Sequence, residues 1–101
     1  MRRVAAAGAK PLEWLPGARR AFDATLSRIL DEDPATAELF RGRVERALDL
    51  IQAHPGLGTS APKRNERRFA VPKTGHVFHY RVARNAIRIV LWYRARQDIS
   101  R

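Results

Sequence analysis

The residues of this chain best suited to chemistry crowd into its second half. In GHVFHYRV, residues 75–82, His79 and Arg81 are two positions apart, which on a β-strand places both on one face about 7 Å apart. A histidine there suits a general base toward a ribose 2′-hydroxyl, and the guanidinium beside it suits the charge of a pentacovalent phosphate. The same pair equally suits hydrogen bonds to the carboxylates or carbonyls of a protein partner, which requires a smaller constellation. Tyr93 lies beside Arg94 and Arg96 and is the better functional candidate of the two tyrosines, Tyr80 and Tyr93. Both share strand parity with apolar positions, so packing with the hydroxyl at the rim is their default role.

Other chemistries lack their parts. There is no cysteine, which removes disulfides and thiolate metal ligation. The three histidines have no close carboxylate in sequence, and no phosphate-binding glycine loop, Ser/His/Asp set or carboxylate pair is present, so neither metal nor cofactor is expected. His54 precedes Pro55 at a helix end and suits a C-terminal cap. His76 falls at a strand start as an ordinary edge residue.

Charge separates the two halves. Residues 1–58 hold nine Lys or Arg against eight Asp or Glu, whereas residues 59–101 hold eleven against two, Glu66 and Asp98. Almost all of the formal net charge of +10 therefore sits on the C-terminal half, where it attracts nucleic acid, anionic lipid or an acidic protein chain. No run reaches the ~20 apolar residues of a membrane span, and the arginine pair near the start is followed by no signal-peptide core. A soluble, cytoplasmic protein without a membrane partner is expected.

These side chains need a scaffold, and the hydrophobic period supplies one. Residues 1–11 read as a flexible tail before a single domain over 12–101. LEWL (12–15) is a short first strand closed by Pro16-Gly17. Ala18, Phe22, Leu26, Ile29 and Leu30 then recur at three- and four-residue steps, the mark of a helix. Asp33-Pro34 is an N-cap with proline at the first helical position. The second helix buries Ala37, Phe40, Val44, Ala47, Leu48 and Ile51, and Pro55-Gly56 stops it. With a tight acidic turn between them, the helices form an antiparallel hairpin.

After residue 66 the period falls to two. RRFAVP (67–72), GHVFHYRVA (75–83) and AIRIVLWYR (86–94) read as three antiparallel strands, giving an α+β domain: a short N-terminal strand, a two-helix hairpin and a three-stranded antiparallel sheet. Parity sends Phe69, Val71, Phe78, Tyr80, Val82, Ile87, Ile89 and Leu91 toward the helices. The open face then carries Arg68, Ala70, Val77, His79, Arg81, Arg88, Val90, Trp92 and Arg94. An exposed Trp92 among arginines reads as a recognition surface awaiting a cover, either a partner helix or strand or a stacked base. Trp14 belongs to the core. Arg64 is a solvated charge, while parity brings Arg68 onto the open face.

The hairpin ending in IQAHPGLG, the strand pair RRFAVPKTGHVFHYRV and the terminal IRIVLWYRARQD, in that order and spacing, resemble the RelE/ParE superfamily of toxins from bacterial type II toxin–antitoxin modules. The likeness runs from about Leu12 to Asp98. It implies a growth-inhibiting, plasmid-stabilising protein that is neutralised in a hetero-oligomer by the C-terminal segment of a cognate antitoxin. Two activities exist in the superfamily, DNA gyrase poisoning by ParE-like members and ribosome-dependent mRNA cleavage by RelE-like members. Of the basic positions in the nuclease branch, Arg68 and Arg96 match. Ala70 and Val77 stand where that branch keeps basic residues, and the chain offers no terminal tyrosine beyond Arg96. HPGLG and GHVFHYRV are closer to ParE-like members. The resemblance thus implies a gyrase inhibitor that meets antitoxin or target through Arg68, His79, Arg81, Arg88, Trp92, Arg94 and Arg96. As a nuclease, it would instead work with Arg68, His79, Arg81, Tyr93 and Arg96.

Overall fold

The computed structural model describes residues 2–3 and 9–95, the first two by their backbone alone. Strand β1 (Arg2–Arg3) and strand β2 (Leu12–Trp14) precede helices α1 (Pro16–Glu32) and α2 (Pro34–Ala53). Strands β3 (Thr59–Ser60), β4 (Glu66–Val71), β5 (His76–Val82) and β6 (Ile87–Arg94) follow.

Helix α1 begins at Pro16, whose fixed φ suits the first helical turn, so the Pro-Gly expected to close the first strand opens the helix instead. One residue, Asp33, separates the helices. Its extended backbone (φ −163°, ψ 107°) ends α1, and its carboxylate caps α2 by accepting from the Ala35 N–H at 3.1 Å and the Thr36 hydroxyl at 2.7 Å. Those hydrogen bonds hold the Asp33 carboxyl below its ordinary pKa. All six positions read as the apolar face of α2 are buried. On α1, Ala18 and Thr25 are buried and Phe22, Leu26 and Ile29 pack against the core, but Leu30 is exposed.

The sheet has the order β1-β2-β6-β5-β4-β3. The three long strands pair antiparallel as expected. The N-terminal strand, however, joins the same sheet, parallel to β6, with Leu12 opposite Ile87 and Trp14 opposite Ile89. Two-residue strands add to each edge. The result is one mixed sheet rather than a separate strand beside a three-stranded one, because the α1–α2 hairpin acts as the long crossover that parallel pairing requires.

Simple alternation fails on β6. Tyr80 lies opposite Ile89 but His79 lies opposite Leu91, so Val90 is an extra residue, a β-bulge. Before it, Ile87 and Ile89 point to the helices; after it, Trp92 does. Trp92 is 4% exposed. Its ring meets Phe22 edge-on at 5.1 Å, and its indole N–H donates to the Thr25 hydroxyl at 3.0 Å. The expected exposure of Trp92 is therefore corrected. Leu91, read as core, is 44% exposed on the open face.

His76 is no ordinary edge residue. It is buried, stacked on Trp92 with ring centres 5.3 Å apart and planes 12° apart, and it contacts Phe40 edge-on. Its Nδ1 donates to the Thr74 carbonyl at 3.1 Å. Burial holds its pKa below the ordinary value, and the nearby Arg94 and Arg28 charges push the same way, against the raising effect of the Thr74 carbonyl.

Candidate functional site

The open face of the sheet carries Glu66 and Arg68 from β4, His79 and Arg81 from β5, and Arg88, Leu91 and Tyr93 from β6, by parity and register. Pairing sets Glu66 opposite Arg81, Arg68 opposite His79, and Arg81 in turn opposite Arg88.

His79 sits at the centre of a polar chain. Its Nδ1 lies 2.8 Å from Glu66 Oε2 and its Nε2 lies 2.9 Å from the Tyr93 hydroxyl, a hydrogen bond at each ring nitrogen. Glu66 and His79 are each 8% exposed, so the histidine expected on an open face is on that face but covered. Both of its ring nitrogens are occupied from within the protein. Arg81, about half exposed, approaches the second oxygen of Glu66 at 4.0 Å. Arg88 pairs with Glu13 of β2 at 3.3 Å.

The turn before β4 fixes Glu66. The Ala61 N–H donates to the Glu66 carbonyl at 2.9 Å, and Asn65 takes a left-handed φ of 61°, a conformation asparagine adopts more readily than most residues. That turn lifts Lys63 and Arg64 over the sheet. On the other side of the sheet, the Tyr80 hydroxyl donates to the Pro55 carbonyl at 2.7 Å and accepts from the Gly58 N–H at 2.8 Å. Burial raises the Tyr80 pKa, against the lowering effect of the Gly58 N–H and Arg67. Gly58 has to be glycine, because a Cβ there would lie 2.7 Å from the Tyr80 hydroxyl and 2.9 Å from the Arg68 carbonyl. This explains the second glycine of HPGLG. His54 is the C-cap residue of α2, its backbone N–H donating to the Leu50 carbonyl at 2.8 Å.

The predicted site residues thus divide. Arg68, His79, Arg81 and Arg88 come together on the open face, and the bulge brings Tyr93 to join them. Trp92 leaves it for the core. Arg94 follows Trp92 in parity, opposite His76 on the helix side, and is exposed at the strand end. Arg96 lies outside the described residues. Glu66, which joins this cluster through His79 and Arg81, is not among the residues the sequence singles out, although it is the one acid inside a basic run and shares strand parity with Arg68. Among the described residues, no three His, Cys, Asp or Glu side chains gather to hold a metal ion, and no helix is long and apolar enough to cross a membrane.

A helical hairpin laid on a mixed sheet with a basic outer face makes this a small two-layer α+β domain. Its fold is similar to a solved structure described as the chromosomal ParDE TA system from P. aeruginosa, with a TM-score of 0.72. That likeness covers 84% of this chain and 95% of the other at 19% sequence identity, which speaks to fold alone. Over residues 12–98 the sequence matches the family described as ParE toxin of type II toxin-antitoxin system, parDE, and the chain belongs to that family. The toxin role follows from membership, and the family implies an antitoxin partner. No curated protein matches the chain.

Proposed function

We propose that this toxin acts in the cytoplasm as a ParE-like inhibitor of DNA gyrase, that its cognate antitoxin neutralises it, and that it is not a nuclease. The family match over residues 12–98 carries the reading. The state of His79 supports it: a ring enclosed between Glu66 and Tyr93 serves to position the sheet face rather than to meet a substrate proton. Arg68, Arg81 and Arg88 then act as binding residues toward antitoxin or target.

A second reading, ribosome-dependent mRNA cleavage, draws on the same contacts differently. In a Glu66–His79–Tyr93 relay, the phenol would be the group that receives the 2′-hydroxyl proton, beside the Arg68 and Arg81 charges. One paired assay separates the two. Purified toxin is added to gyrase with supercoiled DNA and, in parallel, to translating ribosomes. Trapped gyrase cleavage complexes with intact mRNA are expected; codon-positioned cuts without gyrase inhibition would overturn the proposal.

A further inference from the structure

Two adjoining cavities open where the Lys63–Asn65 turn folds over the ends of β5 and β6. One, of about 680 Å³, is lined by Lys63, Arg64, Arg67, Arg81 and Arg88 together with Val82. The other, of about 260 Å³, has Pro62, Val90 and Leu91 as its apolar wall, with Lys63 and Arg81 at its margin. Lys63, Glu66 and Arg81 line both, so the two form a single trough. Its one acid, Glu66, is engaged by His79 and faced by Arg81. Arg88 is paired with Glu13 and Arg67 donates to the Gly58 carbonyl, so what the trough offers a ligand is Lys63, Arg64 and Arg81 above an apolar floor that includes the exposed Leu91 and Val82, at 44% and 40%.

We infer that this trough holds a short peptide in which acidic side chains alternate with apolar ones. Carboxylates would meet Lys63 and Arg81, and an apolar side chain would cover Leu91 and Val90. A nucleic-acid backbone satisfies the cations but gains nothing from the apolar floor, whereas an acidic and apolar peptide satisfies both. Desolvation at the floor also strengthens the charge pairs at its margin. The inference rests on the reading that an antitoxin neutralises this chain, and it assigns the antitoxin a motif and a place. It also moves recognition from a flat strand face bearing Trp92 to a concavity bearing Leu91.

The test uses the full chain and a short, fluorescently labelled synthetic peptide alternating glutamate with leucine. Its serine-for-leucine analogue and a short DNA duplex serve as rivals. Saturable binding of the Glu/Leu peptide is expected, weaker by about tenfold or more for the serine analogue. Arg81→Glu and Leu91→Asp should each weaken it by a similar factor, with folding checked by thermal melting. Lys63→Glu on the exposed turn repeats the charge arm at a position that bears no core packing. Three results would overturn the trough: equal binding of both peptides, tighter binding of duplex that displaces the peptide, or indifference to all three substitutions. Gyrase inhibition is measured on the same samples. Loss of peptide specificity with inhibition intact sinks the trough alone; intact peptide specificity without inhibition sinks the gyrase reading alone.

Discussion

The two faces of the sheet are held by different forces. On the helix side, Phe78, Tyr80, Ile87, Ile89 and Trp92 are each at most 4% exposed; Phe78 meets Tyr80, and Trp92 meets Phe22, Phe40 and His76, at centroid distances of 5.1–6.0 Å. On the open side, burial stops at Val77 and at a polar chain, Glu66–His79–Tyr93, with Arg81 and Leu91 left to solvent. Packing on the first face is collective and tolerates no missing volume. Order on the second comes from a few directed hydrogen bonds, and those leave room for a partner. The two sides of the same three strands are thus ordered by different means, and the proposed recognition surface lies on the side that packing leaves open.

The sharpest way to break this contrast is Trp92→Ala. It should lower folding stability by about 3–5 kcal/mol, measured by denaturant unfolding, because the indole fills the core between Phe22 and His76 and bonds Thr25. A variant of wild-type stability that had lost only partner binding would return Trp92 to the open face. Next comes Glu66→Ala, expected to cost about 1–3 kcal/mol by leaving the buried His79 Nδ1 without its hydrogen-bond partner. A neutral outcome would mean that the open face needs no polar chain.

A smaller effect concerns pH. Because the folded-state pKa of His76 is depressed below 6.5, chiefly by burial, its stabilising contribution is complete above that value. It is lost as pH falls from there through the lower folded-state value. Melting temperature followed across this window should fall less steeply in His76→Phe, which keeps a ring against Trp92 and has no proton to bind. Equal slopes would remove His76 from the account. The smallest expected change in stability is Arg81→Ala, within about 0.5 kcal/mol by thermal melting, since its side chain is half exposed and only 4.0 Å from Glu66 at best. A large loss of stability would show that the open face is structural after all.

Much of this was legible in the sequence, for reasons that differ by element. The apolar face of α2 and the Asp33-Pro34 start follow from local periodicity and capping, and both hold. The pairing of β4, β5 and β6 follows from turn chemistry, and it holds too. What parity cannot supply is the count of residues facing each other across strands. Val90, a residue well suited to any strand, is the extra one, and from that point Leu91, Trp92, Tyr93 and Arg94 all exchange faces relative to simple alternation. The parallel joining of β2 to β6 is likewise non-local, fixed by how the hairpin lays the chain back on the sheet. Glu66 was hidden for another reason: within a basic run a single acid looks like charge balance until its histidine partner, thirteen residues on, is placed against it.

The joint at Asp33 carries a consequence for how this molecule can fail. Were that residue helical, α1 and α2 would merge into one rod of about 57 Å, longer than the 39 Å greatest dimension of the molecule. Such a rod would carry α1 and β2 away from their own sheet. Pro34 disfavours it sterically, since the residue before a proline avoids the helical region, and Asp33 is extended as that demands. The proline of Asp33-Pro34 thus does two jobs, opening α2 and keeping the break that folds α1 back beside it.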